Sequence, residues 1–274
     1  MQIRHPFPAL RIWLCATLLA AFVASPLWAQ TKPKVLDVGI EKPASVIYIG
    51  NSFFYFNNGI NGHVTQLMAA ADPAYKLRST MITISGSGMN WHDVDSYFRP
   101  DAVGSYSFDA SNNVVFNKLD KLFDLAIIMD CSQCPIHPTL KTVFRDFAKK
   151  NSDAVRKHGA TPVFFMSWAY ADKPEMTAQL AEAYTQAGNE HNALVIPAGL
   201  AFARSIAQRP DIKLYIADNR HPTLAGSYLA ACTTLAAVFK KSPVDLKYTA
   251  GLDEATAKHL QNVAWATVQD YFKP

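Results

Sequence analysis

Two short segments of the sequence carry residues that could act together as a nucleophile and a base. Gly50–Ser52 (GNS) directly follows an apolar run, and Asp218–Pro222 (DNRHP) lies far along the chain. A serine hydroxyl is a poor nucleophile near neutral pH, so it needs a base within hydrogen-bond reach and a partner that orients that base. A spacing of three residues lets the Asp218 carboxylate fold back onto Nδ1 of His221. This spacing leaves Nε2 free to face the hydroxyl of Ser52.

Each segment also has an ordinary structural alternative when it stands alone. Ser52 could be a helix cap, and Asp218 with His221 could be a pair on the surface. A third segment, Ile84–Met89 (ISGSGM), is either a flexible surface loop or a source of backbone amides. An amide there, such as that of Gly86, would stabilise an oxyanion by about 3–4 kcal/mol. The chemical interpretation therefore requires elements that bring the three segments together.

Five short apolar runs, rich in β-branched or aromatic residues, predict strands. They are Ser45–Gly50, Lys76–Ile84, Leu125–Met129, Pro162–Met166 and Ala193–Ile196. Apolar residues with helical spacing occupy positions 140–158, 176–187, 224–238 and 260–271. This alternation predicts an α/β domain with a parallel five-stranded sheet and helices on both faces. Ligands of such sheets bind outside the carboxyl ends of the strands, where both Ser52 and Gly86 would lie.

Aromatic residues near these positions fit two roles. The run Phe53–Phe56 (FFYF) favours packing in the core, and stacking on a sugar or acyl group is the alternative. Trp91, Trp168 and Tyr170 have the same two interpretations. The segment Phe98–Asn117 mixes glycine, serine and asparagine with aromatic residues, and we interpret it either as a hairpin insertion that overhangs the site or as a plain surface loop.

Together the blocks resemble the SGNH, or GDSL-like, hydrolase family. The first block is Gly50–Phe53 (GNSF), the second is Gly86, and the last is Asp218–Pro222, read as Asp-x-x-His-Pro. The GNSF spelling and the segment from 221 to 231 are similar to a bacterial branch of uncharacterised SGNH-like proteins. The resemblance extends from Val46 to Phe239, which is nearly the whole chain after its first 29 residues.

The resemblance implies a flavodoxin-like, three-layer α/β/α fold and ester hydrolysis through a serine acyl-enzyme, with no cofactor. Ser52 would be the nucleophile, His221 the base and Asp218 the acid that orients it. The backbone amides of Ser52 and Gly86 would form the oxyanion hole. The expected substrate is a small-molecule or glycan ester with a small acyl group. The usual substrates of the family suggest an acetyl group on a carbohydrate.

The sequence departs from the family pattern after the third strand. The family expects an asparagine there, or a glutamine in some branches, as the remaining oxyanion donor. Here the chain continues as Met129–Pro135 (MDCSQCP), in which Gln133 is the nearest amide and Ser132 is the alternative donor. Asp130 would be unfavourable beside an oxyanion unless its carboxylate points away. This departure motivates a second hypothesis, a non-catalytic exported binding protein that retains the fold.

The same segment suggests a third hypothesis, a thiol or metal protein. Cys131, Cys134 and His137 have the spacing of soft-metal ligands, although the sequence offers no evident fourth ligand. In an exported protein, a disulfide between Cys131 and Cys134, or from one of them to Cys232, is favoured. We therefore predict no metal site.

The first 29 residues have the features of a secretory signal. Arg4 and Arg11 precede the apolar run Ile12–Ala24, and Ala29 offers a small residue for cleavage. This run is shorter than the roughly 20 residues that a spanning helix needs, although an uncleaved anchor is the alternative. We expect an exported protein, periplasmic or secreted, with no membrane span after cleavage.

The remaining chain has the size and composition of one globular domain. Of the 274 residues, 50% are hydrophobic, which is enough for a large core. We assign residues 1–29 to the signal peptide, 30–44 to a linker and 45–274 to the SGNH-like domain. Loss of Arg4 and Arg11 reduces the formal net charge from +4 to +2. With this charge and no basic cluster interleaved with aromatic residues, nucleic acid is not an expected partner.

Overall fold

The central sheet has five parallel strands, and a separate hairpin has two antiparallel ones. The strands are β1 (Ser45–Gly50), β2 (Arg78–Thr83), β3 (Tyr106–Phe108), β4 (Val114–Phe116), β5 (Leu125–Ile128), β6 (Thr161–Phe165) and β7 (Leu194–Ile196). The order in the sheet is β2-β1-β5-β6-β7, with every pair parallel. The computed structural model describes residues 31–100, 102–103, 106–116, 119 and 121–273, so the predicted signal peptide lies outside the described residues.

Eight helices accompany the strands in the described part of the chain. They are α1 (Ser52–Tyr55), α2 (Ile60–Ala71), α3 (Val94–Tyr97), α4 (Leu140–Lys157), α5 (Met176–Glu190), α6 (Ala198–Gln208), α7 (Leu224–Phe239) and α8 (Glu254–Tyr271). Short 3-10 turns cover Phe56–Asn58, Met89–Trp91 and Cys134–Ile136. The predicted α/β architecture, a parallel five-stranded sheet flanked by helices, is confirmed.

Burial explains why the strands could be recognised in the sequence. Every residue of β1 and β5 is buried, because strands covered on both faces consist of nearly continuous apolar residues. Strand β2 lies at the edge of the sheet, is half-buried throughout, and has the mixed sequence RSTMIT. Helix α7 is buried almost completely and packs against α2, α6 and α8. These contacts fix the loop that precedes α7.

Of the helices longer than one turn, α2 and α6 lie outside the ranges predicted from helical spacing. Each contains a glycine, Gly62 or Gly199, which weakens a helical pattern. At Gly199 a Cβ atom would lie 2.3 Å from the carbonyl oxygen of Ser167, so the helix can approach the end of β6 only because this residue is glycine. The structural reason for this residue is therefore a close tertiary contact that the sequence does not display.

The inserted segment and the predicted linker both have defined structure where the chain is described. Strands β3 and β4 form an antiparallel hairpin in which Tyr106 pairs with Phe116, so the hairpin interpretation is confirmed; that it overhangs the site stays a prediction. Residues 31–44 contain no helix or strand, but they lie against the domain. Val38 is buried there, and the amide of Thr31 donates a hydrogen bond to Glu182 at 3.0 Å.

None of the helices within the described residues combines the length and the apolar character that crossing a bilayer requires.

Candidate active site

Ser52 lies at the carboxyl end of β1, where it begins α1. Asn51 caps this helix, because its side-chain oxygen accepts a hydrogen bond from the amide of Phe53 at 3.2 Å. Gly50 allows the turn to close, since a Cβ atom there would lie 2.9 Å from the ring of Phe54. Ser52 is 8% exposed, so it is buried at this end of the sheet.

His221 connects Ser52 to Asp218. Its Nε2 lies 2.8 Å from Oγ of Ser52, and its Nδ1 lies 2.5 Å from Oδ2 of Asp218. The other carboxylate oxygen of Asp218 accepts hydrogen bonds from the amides of Arg220 and His221, both at 2.9 Å. Burial alone would raise the pKa of Asp218, but the hydrogen bonds from the ring and the two amides lower it to about 2. An ionised Asp218 favours the tautomer with its proton on Nδ1, so Nε2 can accept the proton of Ser52.

Aromatic rings hold the imidazole of His221 in place. Phe56 stacks on it with the ring centroids 4.4 Å apart, and Phe53 meets it edge-on at 5.5 Å. Phe53 also stacks on Trp168 at 4.6 Å, and Nε1 of Trp168 donates a hydrogen bond to the carbonyl of Arg220 at 2.9 Å. Phe53 is also buried in the core, so it combines the packing role favoured from the sequence with a contact to His221.

Asn57 links the Ser52 turn to the His221 loop, a connection that sequence reasoning missed. Its Nδ2 donates to the carbonyl of Pro222 at 3.0 Å and to Oγ of Ser227 at 2.9 Å. Asn57 has a φ of 53°, a left-handed conformation that asparagine tolerates better than most residues. The sequence signal was the Asn-Asn-Gly run at 57–59, which is typical of a turn.

The Gly86 segment is tied to the end of β1 beside Ser52. Nδ2 of Asn51 donates to the carbonyl of Ser87 at 3.0 Å and to that of Asp130 at 3.1 Å. Asn51 thus joins the loops that follow β1, β2 and β5. Gly86 has a φ of 71°, and a Cβ atom there would meet nothing within 4 Å. Backbone conformation, rather than lack of space, therefore favours glycine at this position.

His92 fastens the same loop from the other side. This buried residue places Nε2 3.1 Å from the carbonyl oxygen of Gly50 and 3.0 Å from Oγ of Ser87. Its Nδ1 lies 3.1 Å from the hydroxyl of Tyr97. Burial lowers the pKa of His92, which favours the neutral ring. These contacts support a structural role for His92.

The carboxylate of Asp130 points toward backbone amides. This residue is 2% exposed, and its Oδ1 accepts hydrogen bonds from the amides of Met89 at 2.7 Å and Cys131 at 2.9 Å. Gly88 leaves room for this oxygen, since a Cβ atom there would lie 2.8 Å from it. Burial raises the pKa of Asp130 to about 6, although the two amides oppose the shift. The amide partners account for a buried carboxyl group next to the site.

Among the described residues, no hydrogen bond joins Gln133 to the other predicted oxyanion donors, Ser52 and Gly86. The side-chain nitrogen of Gln133 lies 4.0 Å from the sulfur of Met176, and its donor role stays a prediction. The alternative donor, Ser132, places its Oγ 2.6 Å from the hydroxyl of Tyr170. The block after β5 is therefore the part of the site for which the geometry offers least support.

The cysteines follow the first of the two predicted disulfide pairings. Cys131 and Cys134 form a disulfide, and Cys232 is free and buried. Burial raises the pKa of the Cys232 thiol, so this group is unreactive in its native surroundings. Because the sulfurs of Cys131 and Cys134 are bonded to each other, they are not available as thiolate ligands.

Comparisons with known proteins support the fold and are distant in sequence. No protein-family model matches the chain, and no curated protein matches it. A DUF4886 family protein from Bacteroides uniformis superposes with a TM-score of 0.59 at 19% identity, over 84% of this chain and 96% of that one. A candidate SGNH hydrolase from Slackia heliotrinireducens gives a TM-score of 0.51 at 21% identity, over 70% and 97% of the two chains.

An acetyl xylan esterase also superposes, with a TM-score of 0.51 at 14% identity, over 71% of this chain and 99% of that one. Identities this low show a shared fold and nothing finer. The predicted resemblance is confirmed at that level: the chain has the α/β fold of the SGNH and GDSL-like hydrolases.

Proposed function

We propose that the protein is a serine ester hydrolase in which Ser52 is the nucleophile, His221 the general base and Asp218 the residue that orients the base. The observation that carries this proposal is the continuous chain of hydrogen bonds, 2.8 Å from Ser52 to His221 and 2.5 Å from His221 to Asp218. Solved structures that share the fold include esterases. The substrate is a small acyl ester, and an O-acetyl group on a carbohydrate is the form we favour because one of these structures is an acetyl xylan esterase.

In this mechanism Oγ of Ser52 attacks the acyl carbonyl while Nε2 of His221 takes the hydroxyl proton. The amides of Ser52 and Gly86 donate to the oxyanion, with Gln133 as the proposed third donor. His221 then returns its proton to the departing alcohol, which leaves an acyl group on Ser52. Water, deprotonated by His221, hydrolyses that acyl-enzyme. The negative charge of Asp218 stabilises the imidazolium at each stage, and no cofactor takes part.

The direct test is Ser52→Ala with 4-nitrophenyl acetate as substrate. We expect kcat/KM to fall by at least about 1,000-fold, because the nucleophile is removed while the fold is retained. Ser242→Ala, in the loop after the carboxyl end of α7, is the matched control and should retain wild-type activity. Mass spectrometry should locate a fluorophosphonate adduct on Ser52. Equal activity of Ser52→Ala and the wild type would overturn the proposal.

The position of Gln133 favours a second candidate, an exported binding protein without turnover. Its side-chain nitrogen lies beside the sulfur of Met176, so the oxyanion site would have one donor fewer than the family pattern expects. Assays of the purified protein against esters of several acyl lengths, together with calorimetric titration of glycans, separate the two candidates. Glycan binding without any ester hydrolysis would favour the binding protein.

We also propose that the protein is exported, to the periplasm or the medium, after cleavage of residues 1–29. The disulfide between Cys131 and Cys134 supports this, since such bonds persist mainly in oxidising compartments. N-terminal sequencing of the exported protein should begin at Gln30. A full-length chain retained in the membrane fraction would instead indicate an uncleaved anchor.

A further inference from the structure

Arg220, the residue before His221, presents an exposed cationic group beside the proposed catalytic residues. Its amide donates to Asp218 at 2.9 Å, and its carbonyl accepts from Trp168 at 2.9 Å, so its backbone is held at both ends. Its guanidinium carbon lies 4.7 Å from the ring centroid of Tyr170. Stacking of this kind reduces the freedom of a long side chain and leaves the edge of the guanidinium open.

The contact between Arg220 and Tyr170 lies on one side of Ser52, at the carboxyl edge of the sheet. Tyr170 follows β6, and its hydroxyl lies 2.6 Å from Oγ of Ser132, which follows β5. Ser52 follows β1, whereas Gly86 follows β2 on the opposite side. If the oxyanion faces the Gly86 loop, another part of an ester bound at Ser52 extends toward the Arg220 side.

Within the described residues, the guanidinium of Arg220 is not paired with a carboxylate. Among the residues that the structure describes, its side chain makes no salt bridge and no hydrogen bond, and its one partner is the ring of Tyr170. The nearest acidic residue in sequence, Asp218, is already bound to His221 and two amides. Five N–H donors in a planar fork fit a carboxylate in two parallel hydrogen bonds.

We propose that Arg220 determines specificity by binding a carboxylate on the alcohol part of the substrate, so that the preferred substrate is an acylated sugar acid. This proposal rests on the proposed ester hydrolase function. Because the proposed acyl group is small, the anionic group belongs to the alcohol part, which is the part large enough to reach from Ser52 to Tyr170.

The test compares two O-acetylated methyl glycosides that differ only at C6, where one has a carboxylate and the other a hydroxymethyl group. We expect kcat/KM of the wild type to be at least tenfold higher for the acid, a ratio within the range of one charge-assisted interaction, which is about 10- to 150-fold. Arg220→Gln should reduce this ratio to about 1. Arg220→Lys should give an intermediate ratio, because a lysine retains the charge but not the fork.

Lys173→Gln provides the matched control, because this exposed cation lies on the loop of Tyr170. The ratio of kcat/KM for the acid glycoside to that for the neutral glycoside should be the same in Lys173→Gln as in the wild type. Equal hydrolysis of both glycosides by the wild type would overturn the role of Arg220 and leave the esterase proposal intact.

Binding measured without turnover separates the two proposals further. NMR titration of Ser52→Ala should show tighter binding of the acid glycoside, and the double variant with Arg220→Gln should lose that difference. Absence of a difference in Ser52→Ala would overturn the inference, whether or not the wild type hydrolyses esters.

Discussion

At the scale of single residues, Asp218 and Asp130 show how surroundings set the charge of a carboxyl group. Hydrogen bonds from His221 and two amides outweigh burial at Asp218 and lower its pKa to about 2. At Asp130 burial outweighs two amides and raises the pKa to about 6. Asp218 therefore stays ionised at any pH where an esterase would work, whereas Asp130 changes its charge within that range.

The raised pKa of Asp130 predicts a pH-dependent stability. Its ordinary value is 3.8, so between about pH 4 and pH 6 the unfolded state releases a proton that the native state retains. The contribution of Asp130 to the free energy of unfolding is fully present below its ordinary pKa. It is lost as the pH rises through about 6, and the change is about 3 kcal/mol.

Asp130→Asn removes this titration and retains an oxygen that can accept from Met89 and Cys131. The free energy of unfolding of the variant minus that of the wild type should therefore be larger at pH 8 than at pH 4. The increase should be up to about 3 kcal/mol. Urea unfolding at both pH values measures it, with Asp146→Asn on the exposed face of α4 as the control. The prediction would be contradicted if the variant and the wild type differed in free energy of unfolding by the same amount at both pH values.

At the scale of elements, the site depends on the connection between the turn after α1 and the start of α7. Asn57 makes that connection through two side-chain hydrogen bonds, and His63 in α2 supports it, with Nε2 2.7 Å from the carbonyl oxygen of Asn57. The elements that carry Ser52 and His221 are thereby fastened together beside the proposed catalytic contact as well as through the sheet.

Asn57→Gly tests this connection without adding backbone strain, because glycine also adopts a positive φ. We expect kcat to fall about 10- to 100-fold, since small displacements of reacting groups have effects of this size. The matched control is Asn58→Gly, which replaces the adjacent asparagine with a φ of 69°. Kinetics and thermal melting should be measured together. If both variants lose activity to the same extent, the side chain of Asn57 has no special role.

At the scale of the whole molecule, residues 31–44 belong to the domain rather than to a free linker. Lys34 donates its amide to Asn189 at 2.7 Å, and Nζ of Lys240 donates to the carbonyl of Leu36. These contacts join the segment to α5 and to the end of α7. The composition of the segment, with prolines and charges, gave no sign of this docking, because the contacts lie more than 100 residues away in sequence.

Val38→Asp should therefore destabilise the whole domain. Val38 is 6% exposed, and an unpaired carboxylate at such a position should reduce the free energy of unfolding by more than about 2 kcal/mol. Leu36→Asp, two residues earlier at 45% exposure, should have little effect and serves as the control. Thermal melting of both variants measures the difference. Similar melting temperatures would show that the segment is not docked in solution.

Much of the architecture was determined by the sequence itself. All five strands of the sheet were predicted to within two residues, because buried parallel strands are nearly continuous apolar runs. The parallel topology then placed Ser52 and the Gly86 segment at one edge of the sheet. The order and spelling of three short blocks identified the fold, which the solved structures confirm.

Only the tertiary structure decided how the side chains meet at that edge. It selected the Cys131–Cys134 pairing, turned Asp130 toward the amides of Met89 and Cys131, and placed Asn57 between the Ser52 turn and the His221 loop. Such contacts join residues far apart in sequence, and side-chain directions at strand ends depend on the packing of neighbouring loops. Local periodicity contains no record of that packing, so the sequence could indicate a candidate site but could not give its internal geometry.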